Sequence, residues 1–103
     1  MIRIVTIAFT CLIAGSVSAQ TVISQKDKEF KPETATVKAG QSLRFTNDDN
    51  VAHNVTVKAP DGASKNIGLQ KAGEHTDVAF DKAGDHEVRC AIHPKMKMTV
   101  KVQ

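Results

Sequence analysis

The chain places three metal-binding side chains within one short segment near its C-terminus, Cys90-Ala91-Ile92-His93-Pro94-Lys95-Met96. A thiolate, an imidazole and a thioether this close together leave room for little but a loop. A second histidine, His53, lies far upstream in the apolar segment Ala52-His53-Asn54-Val55. Soft sulfur ligands combined with imidazoles favour copper over magnesium, calcium or manganese. Two His, one Cys and a weakly bound axial Met form the donor set of a type 1 copper site, so the sequence predicts that one such ion is held here.

The N-terminal segment is expected to be absent from the folded domain. Residues 1–19 contain the lone positive charge Arg3, an apolar run and the ending Val17-Ser18-Ala19, which is the small-x-small pattern of a signal-peptidase site. The apolar run is too short to span a bilayer comfortably, which disfavours an uncleaved anchor. We therefore predict a cleaved signal peptide at residues 1–19, a single domain at residues 20–103 and export to the periplasm.

Cleavage would leave one cysteine. It removes Cys11, so Cys90 would have no disulfide partner within the chain. A lone thiol in an oxidising compartment is reactive, joined to another molecule or occupied by a ligand. Because His93 and Met96 follow Cys90 at ligand spacing, occupation by a metal is the interpretation we favour.

Composition argues against several other classes of partner. The formal net charge is +3 and falls by one if Arg3 is removed, with lysines scattered among acids rather than clustered. The chain has no Tyr or Trp on which bases could stack, so no nucleic-acid partner is expected. We expect a monomer that does not insert stably into a membrane once the signal peptide is gone.

From Thr21 onward the pattern is that of β-strands. Short segments alternate between apolar and polar residues, and turn-forming clusters separate them every 8 to 12 residues or so. No window shows a sustained helical stripe. About seven to eight short strands predict an all-β, antiparallel Greek-key sandwich. The alternation also places His53 on the same face as Val55 and Val57, and Cys90 on the same face as His86 and Val88.

The order of these residues resembles the cupredoxin family, in particular amicyanin and other small plastocyanin-like proteins. The ligand loop Cys90-x-x-His93-x-x-Met96 is the specific part of the resemblance. Further matches are Phe30-x-Pro32, Val37-x-x-Gly40, Phe45-Thr46-Asn47-Asp48 and His53-Asn54-Val55. The resemblance implies a β-sandwich that holds type 1 copper at one end, cycles between Cu(I) and Cu(II) and shuttles single electrons without being an enzyme.

The resemblance also implies roles for individual residues. Cys90, His93, His53 and Met96 would bind copper, and His93 would be the exposed ligand through which electrons pass. The backbone N–H of Asn54 would donate a hydrogen bond to the thiolate sulfur. A cytochrome or a periplasmic dehydrogenase would dock around His93, as the redox partner.

Several assignments stay open on sequence alone. Met98 gives the longer ligand spacing seen in plastocyanin and shares its face with Met96, although Met98 also suits the core of the last strand. His75 is expected to face solvent, and His86 stands where relatives commonly carry an aromatic residue; either could join a second, weaker metal site. A periplasmic copper carrier or store is the alternative function. A structural zinc site is disfavoured because Met is a poor zinc ligand.

Overall fold

The computed structural model describes residues 21–103, and the predicted signal peptide lies outside the described residues. Within this range the chain forms nine β-strands and no helix, which confirms the all-β prediction and adds a strand to it. In chain order the strands are β1 (Val22–Lys26), β2 (Glu29–Lys31), β3 (Thr34–Val37), β4 (Gln41–Asn47), β5 (His53–Lys58), β6 (Ser64–Gln70), β7 (His75–Phe80), β8 (Gly84–Cys90) and β9 (His93–Val102).

The strands form two sheets that enclose one core. The four-stranded sheet has the order β2-β1-β4-β7, and the five-stranded sheet has the order β3-β9-β8-β5-β6. Most pairings are antiparallel, as predicted, but β1 pairs with β4 and β3 pairs with β9 in parallel. β1 and β3 lie in different sheets, and each of them pairs with a strand from a later part of the chain.

The core is built from the inward positions of the alternating strands. On β9 these positions are Met96, Met98, Val100 and Val102, all of which are buried while the intervening residues are more exposed. Aromatic and aliphatic side chains from the other strands belong to the same core. They include Phe30, Phe45, Phe80, Ile23, Leu43, Val55 and Val88. Removing such side chains from water is the main driving force for a fold of this size.

Three strand boundaries differ from the sequence prediction. Glu29–Lys31 forms the additional strand β2, which the alternation did not predict, because Phe30 turns inward and is only 1% exposed. The turn-forming residues Pro60, Asp61 and Gly62 predict a loop at residues 59–65, but the loop is shorter, since β6 already begins at Ser64. Alternation of apolar and polar residues predicts a last strand at residues 97–102, but β9 already starts at His93, so the ligand loop is mostly strand.

The topology brings the candidate ligands to one end of the sandwich. β5 is hydrogen-bonded to β8, with Val55 opposite Cys90, so His53 lies at the start of β5 just beyond the level of Cys90 at the end of β8. A two-residue turn then leads to His93, which pairs with Cys90 across a register shift. No helix in residues 21–103 is long and apolar enough to cross a membrane.

Candidate metal centre

Three of the four predicted ligands form a compact triangle of donor atoms. His53 Nδ1 lies 3.2 Å from His93 Nδ1, and Cys90 Sγ lies 3.7 Å from the first and 3.5 Å from the second of these nitrogens. The point equidistant from the three atoms is about 2.0 Å from each, close to the length of a metal–imidazole bond and slightly short of a metal–thiolate bond. The triangle therefore fits a metal ion with two imidazole ligands and one thiolate ligand.

Cys90 is the centre of this arrangement. It is 1% exposed and is the free cysteine among the described residues. The backbone N–H of Asn54 donates a hydrogen bond to its sulfur at 3.3 Å, as the family resemblance predicted. In return, the Asn54 carbonyl accepts a hydrogen bond from the N–H of Ala91, which ties the start of the ligand loop to β5. These backbone contacts orient the Cys90 sulfur relative to β5, as outer contacts commonly orient metal ligands.

Strand register places Met96 closer than Met98 to the level of Cys90. Along the ladder between β8 and β9, Met98 is opposite Val88, whereas Cys90 is opposite His93. The register shift leaves residues 94–96 as an excursion of β9 at the level of Cys90. Met96 is 1% exposed within that excursion, so its side chain is buried at the ligand end of the core, while Met98 lies one inward step deeper.

Asp49 completes the surroundings of His53, and the sequence prediction did not include it. His53 is fully buried, and its outer nitrogen, Nε2, lies 3.1 Å from Asp49 Oδ2. The same carboxylate oxygen accepts a hydrogen bond from the N–H of Lys28, and the N–H of Asn50 donates to the other oxygen. The Lys28 N–H, with help from His53 and Asn50, lowers the pKa of Asp49 below its usual value, so the carboxylate stays charged.

The loop that carries Asp49 is fixed by a buried amide. Asn47 is fully buried; its side-chain oxygen accepts a hydrogen bond from the N–H of Asp49, and its side-chain nitrogen donates to the carbonyls of Val51 and Gln70. The sequence Asn47-Asp48-Asp49-Asn50 by itself indicates only a polar turn. The spacing of Asp49 four residues before His53 is the signal that could have drawn attention to it.

His93 has a more open environment. It is half-buried, and no residue within 21–103 forms a hydrogen bond to its outer nitrogen, Nε2. Burial lowers the pKa of His93, and the neighbouring His53 and Lys28 lower it further, against an opposing contribution from Asp49. The imidazole therefore remains neutral to lower pH than usual, which keeps the Nδ1 lone pair available to a metal.

A surface groove runs beside the ligand loop. One wall comes from the β1–β2 hairpin and the segment after it, and the other from the loop itself; the lining residues are Asp27, Lys28, Glu29, Phe30, Glu33 and residues 92–97. Ile92 is 52% exposed at this end, so an apolar side chain stands beside the accessible histidine. The groove thus combines apolar atoms with charges of both signs.

The remaining histidines lie away from the triangle. His75 is exposed at the start of β7, as predicted. His86 is buried with its ring edge-on to Phe80, at a centroid distance of 5.3 Å. Among the described residues, the only group of three His, Cys or acidic side chains with metal-binding geometry is His53, Cys90 and His93. His86 therefore packs as an aromatic side chain against Phe80 and is not part of the donor triangle.

Comparison with known proteins agrees with this geometry. Residues 17–103 match the family described as copper-binding proteins of the plastocyanin/azurin family. Amicyanin-alpha from Methylorubrum extorquens is 27% identical over 93% of this chain and 88% of its own length. The methylamine utilization protein MauL from Methylophilus methylotrophus is 31% identical over 74% of this chain, but the match spans only 45% of MauL. A solved amicyanin variant in its reduced Cu(I) form superposes with a TM-score of 0.75 at 23% identity, covering 89% of this chain and 90% of that one.

Proposed function

The chain belongs to the plastocyanin/azurin family of copper-binding proteins, and we propose that it is an exported single-electron carrier with one type 1 copper. This family comprises binding proteins and not enzymes, and copper is the cofactor. The observation that carries the proposal is the triangle of His53 Nδ1, Cys90 Sγ and His93 Nδ1, buried on one side and accessible through His93 on the other.

We assign His53, Cys90 and His93 as the three strong ligands and Met96 as the axial ligand. Copper would supply the one-electron couple between Cu(I) and Cu(II). The residues of the chain hold the donor atoms close together before the metal arrives, through the Asn54–Cys90 and Asp49–His53 hydrogen bonds. A preformed donor set limits rearrangement when the ion gains or loses an electron, which favours fast exchange.

Electrons would pass through His93, because the other strong ligands are almost completely buried. The groove beside His93 supports docking of a redox protein at this end, such as a cytochrome or a periplasmic dehydrogenase. Lys95 and Lys97 line this groove on the side of the ligand loop, and acidic side chains line the opposite wall. The partner would therefore be expected to present an apolar centre with acidic groups facing the lysine side.

Export is part of the same proposal. The pattern of residues 1–19 predicts a cleaved signal peptide, and residues 20–103 would then act as a single domain in the periplasm. Mass spectrometry of the protein from the periplasmic fraction of cells expressing the full chain tests this directly. The expected mature form begins at Gln20, and a retained Met1 in the fractionated protein contradicts it.

The visible spectrum tests the copper assignment. Adding Cu(II) to the purified exported protein should give the intense blue absorption of a thiolate-to-copper charge transfer, with one copper bound per chain. Addition of a mild reductant should bleach the colour and reoxidation should restore it. A colourless complex that nevertheless binds Cu(I) tightly would instead favour a copper carrier or store.

A further inference from the structure

The carboxylate of Asp49 lies largely shielded from solvent against the outer nitrogen of His53, on the side away from the donor triangle. Its side chain is only 10% exposed, and that of His53 is fully buried. A buried charge is expensive unless other groups compensate for it. Here the compensation comes from the N–H of Lys28 at 2.9 Å and from the N–H of Asn50, in addition to His53. The chain thus holds a negative charge one imidazole ring away from the metal position.

A neutral imidazole carries its proton on one nitrogen only, and the partner of the other nitrogen decides which. A carboxylate can only accept a hydrogen bond, so Asp49 requires the proton on His53 Nε2. That leaves the lone pair of His53 on Nδ1, the atom that faces Cys90 Sγ at 3.7 Å and His93 Nδ1 at 3.2 Å. The neighbouring carboxylate therefore selects the tautomer that can bind a metal.

We propose that Asp49 is a positioning residue that fixes the tautomer and ring orientation of His53 and, through its charge, favours Cu(II) over Cu(I). This inference rests on the proposed function, because it concerns the ligand role of His53. A carboxylate bonded to a metal-binding histidine raises the basicity of that ligand. A more basic ligand and a nearby negative charge stabilise the more highly charged ion, so Asp49 holds the reduction potential down.

The hydrogen-bonding network around the carboxylate explains how its position is maintained. Asn47 accepts from the Asp49 N–H and bridges to Val51 and Gln70, so the loop is fixed to both β4 and the end of β6. Lys28 approaches from the turn of the β1–β2 hairpin, where its φ is +58°. The N–H of Lys28 and Nε2 of His53, which come from separate segments of the chain, therefore contact the same oxygen of Asp49, Oδ2.

The test uses Asp49→Asn, Asp49→Ala and the control Asp48→Asn in the exported protein. Asp48 carries the same charge one residue away, but its carboxylate accepts hydrogen bonds from Ser24 and Thr46 rather than from His53. Asp49→Asn keeps a hydrogen-bond acceptor and removes the charge. Asp49→Ala removes both, and the loss of such a partner typically lowers metal affinity about 10-fold to 100-fold.

Two readouts separate the effects. In Asp49→Asn we expect Cu(II) affinity to fall about tenfold with Cu(I) affinity nearly unchanged, which corresponds to a potential raised by about 59 mV for a one-electron couple. Asp48→Asn should shift the potential by much less. In the metal-free protein, NMR should show a slowly exchanging proton on His53 Nε2 in wild type and in Asp48→Asn, and its loss in Asp49→Ala.

The outcomes distinguish this inference from the proposed function. Equal potentials in Asp49→Asn and Asp48→Asn would overturn the electrostatic role of Asp49 while leaving a blue copper protein. A wild-type protein without the blue band would refute the proposed function, and the metal-free NMR spectrum would still decide the tautomer. Absence of the Nε2 proton in wild type overturns the positioning role, whatever the copper data show.

Discussion

Both histidines of the metal centre direct Nδ1 toward Cys90 Sγ, but one histidine is buried and the other is partly exposed to solvent. His53 begins β5, is fully buried and has its outer nitrogen bonded to Asp49. His93 follows the turn after β8, is half-buried and lines the surface groove. Their rings meet edge to face, with centroids 5.0 Å apart.

This difference indicates that the β5 side and the ligand loop have separate roles in the site. The β5 side is fixed by Asn47, Asp49 and the backbone of Asn54, so it defines where the metal binds. The ligand loop supplies the accessible edge, so in the proposed function it would define how electrons arrive and leave. A site built in this way can keep a constant geometry at one histidine while the other takes part in docking.

The largest effect is expected where the two parts join, at Cys90. Its sulfur accepts a hydrogen bond from Asn54 on β5, and Cys90 itself is the last residue of β8, where the ligand loop begins. Cys90→Ala and Cys90→Ser should abolish the blue absorption completely while far-ultraviolet circular dichroism stays close to that of wild type. Strong residual blue colour in either variant would contradict the ligand assignment.

The next prediction compares the histidines directly by replacing each with glycine. His93→Gly should lose the blue band and regain it when millimolar imidazole is added, because the vacated position opens to solvent. His53→Gly should not regain the band at the same imidazole concentration, since that position is sealed. It should also lower the free energy of unfolding by about 2–5 kcal/mol, as expected for removing a large buried side chain.

Spectral titration with imidazole and urea denaturation of the metal-free variants provide the two measurements. His75→Gly is the control, because that side chain is exposed and is not part of the donor triangle. Equal rescue of His53→Gly and His93→Gly would show that the two positions are equally open, and the division of roles would then be wrong.

The same division separates what the sequence could predict from what it could not. Alternation with a period of two placed His53 and Cys90 on inward faces, and the spacing of Cys90 and His93 required a tight connection. These are local properties of the chain, and the structure brings the three residues together. The role of Asp49 depends instead on the path of a turn and on the approach of Lys28 from a distant hairpin.

The four-residue spacing between Asp49 and His53 is a weak local hint, and it does not decide which of the two adjacent aspartates turns back toward His53. Asp48 and Asp49 have the same charge and the same turn propensity, yet only Asp49 contacts the histidine. The parallel pairing of β1 with β4 was hidden for the same reason, since strand partners far apart in sequence are not encoded in the pattern of either strand. Phe30 was an inward residue in a segment too short to be recognised as a strand.

The third prediction concerns the two buried methionines at the junction of the loop and the core. Met96→Leu should raise the reduction potential and keep the blue colour, because a weak axial thioether tunes the site without holding it. Met98→Leu should leave the potential unchanged and alter the free energy of unfolding by less than about 1.5 kcal/mol, as for a swap of similar volume. Voltammetry of both variants measures the first effect, and a potential that follows Met98 would transfer the axial role to it.

The smallest effect is expected at the rim of the groove, where Lys95 faces solvent on the loop side. Lys95→Glu should slow oxidation by the anionic reagent ferricyanide by a factor of roughly 2 to 10 at low ionic strength, because rim charges act mainly on encounter rates. Glu33→Lys, on the opposite wall, should have the reverse effect, and Lys101→Glu, farther along β9, should have little.

All of these differences in rate should fade near physiological salt, where charges are screened within about 8 Å. The potential shift of Asp49→Asn should survive the same salt, because that carboxylate is nearly buried. If stopped-flow rates for Lys95→Glu match those of Lys101→Glu at low salt, electrons do not enter by the edge that His93 and Lys95 share, and the accessible half of the site must be sought elsewhere on the surface.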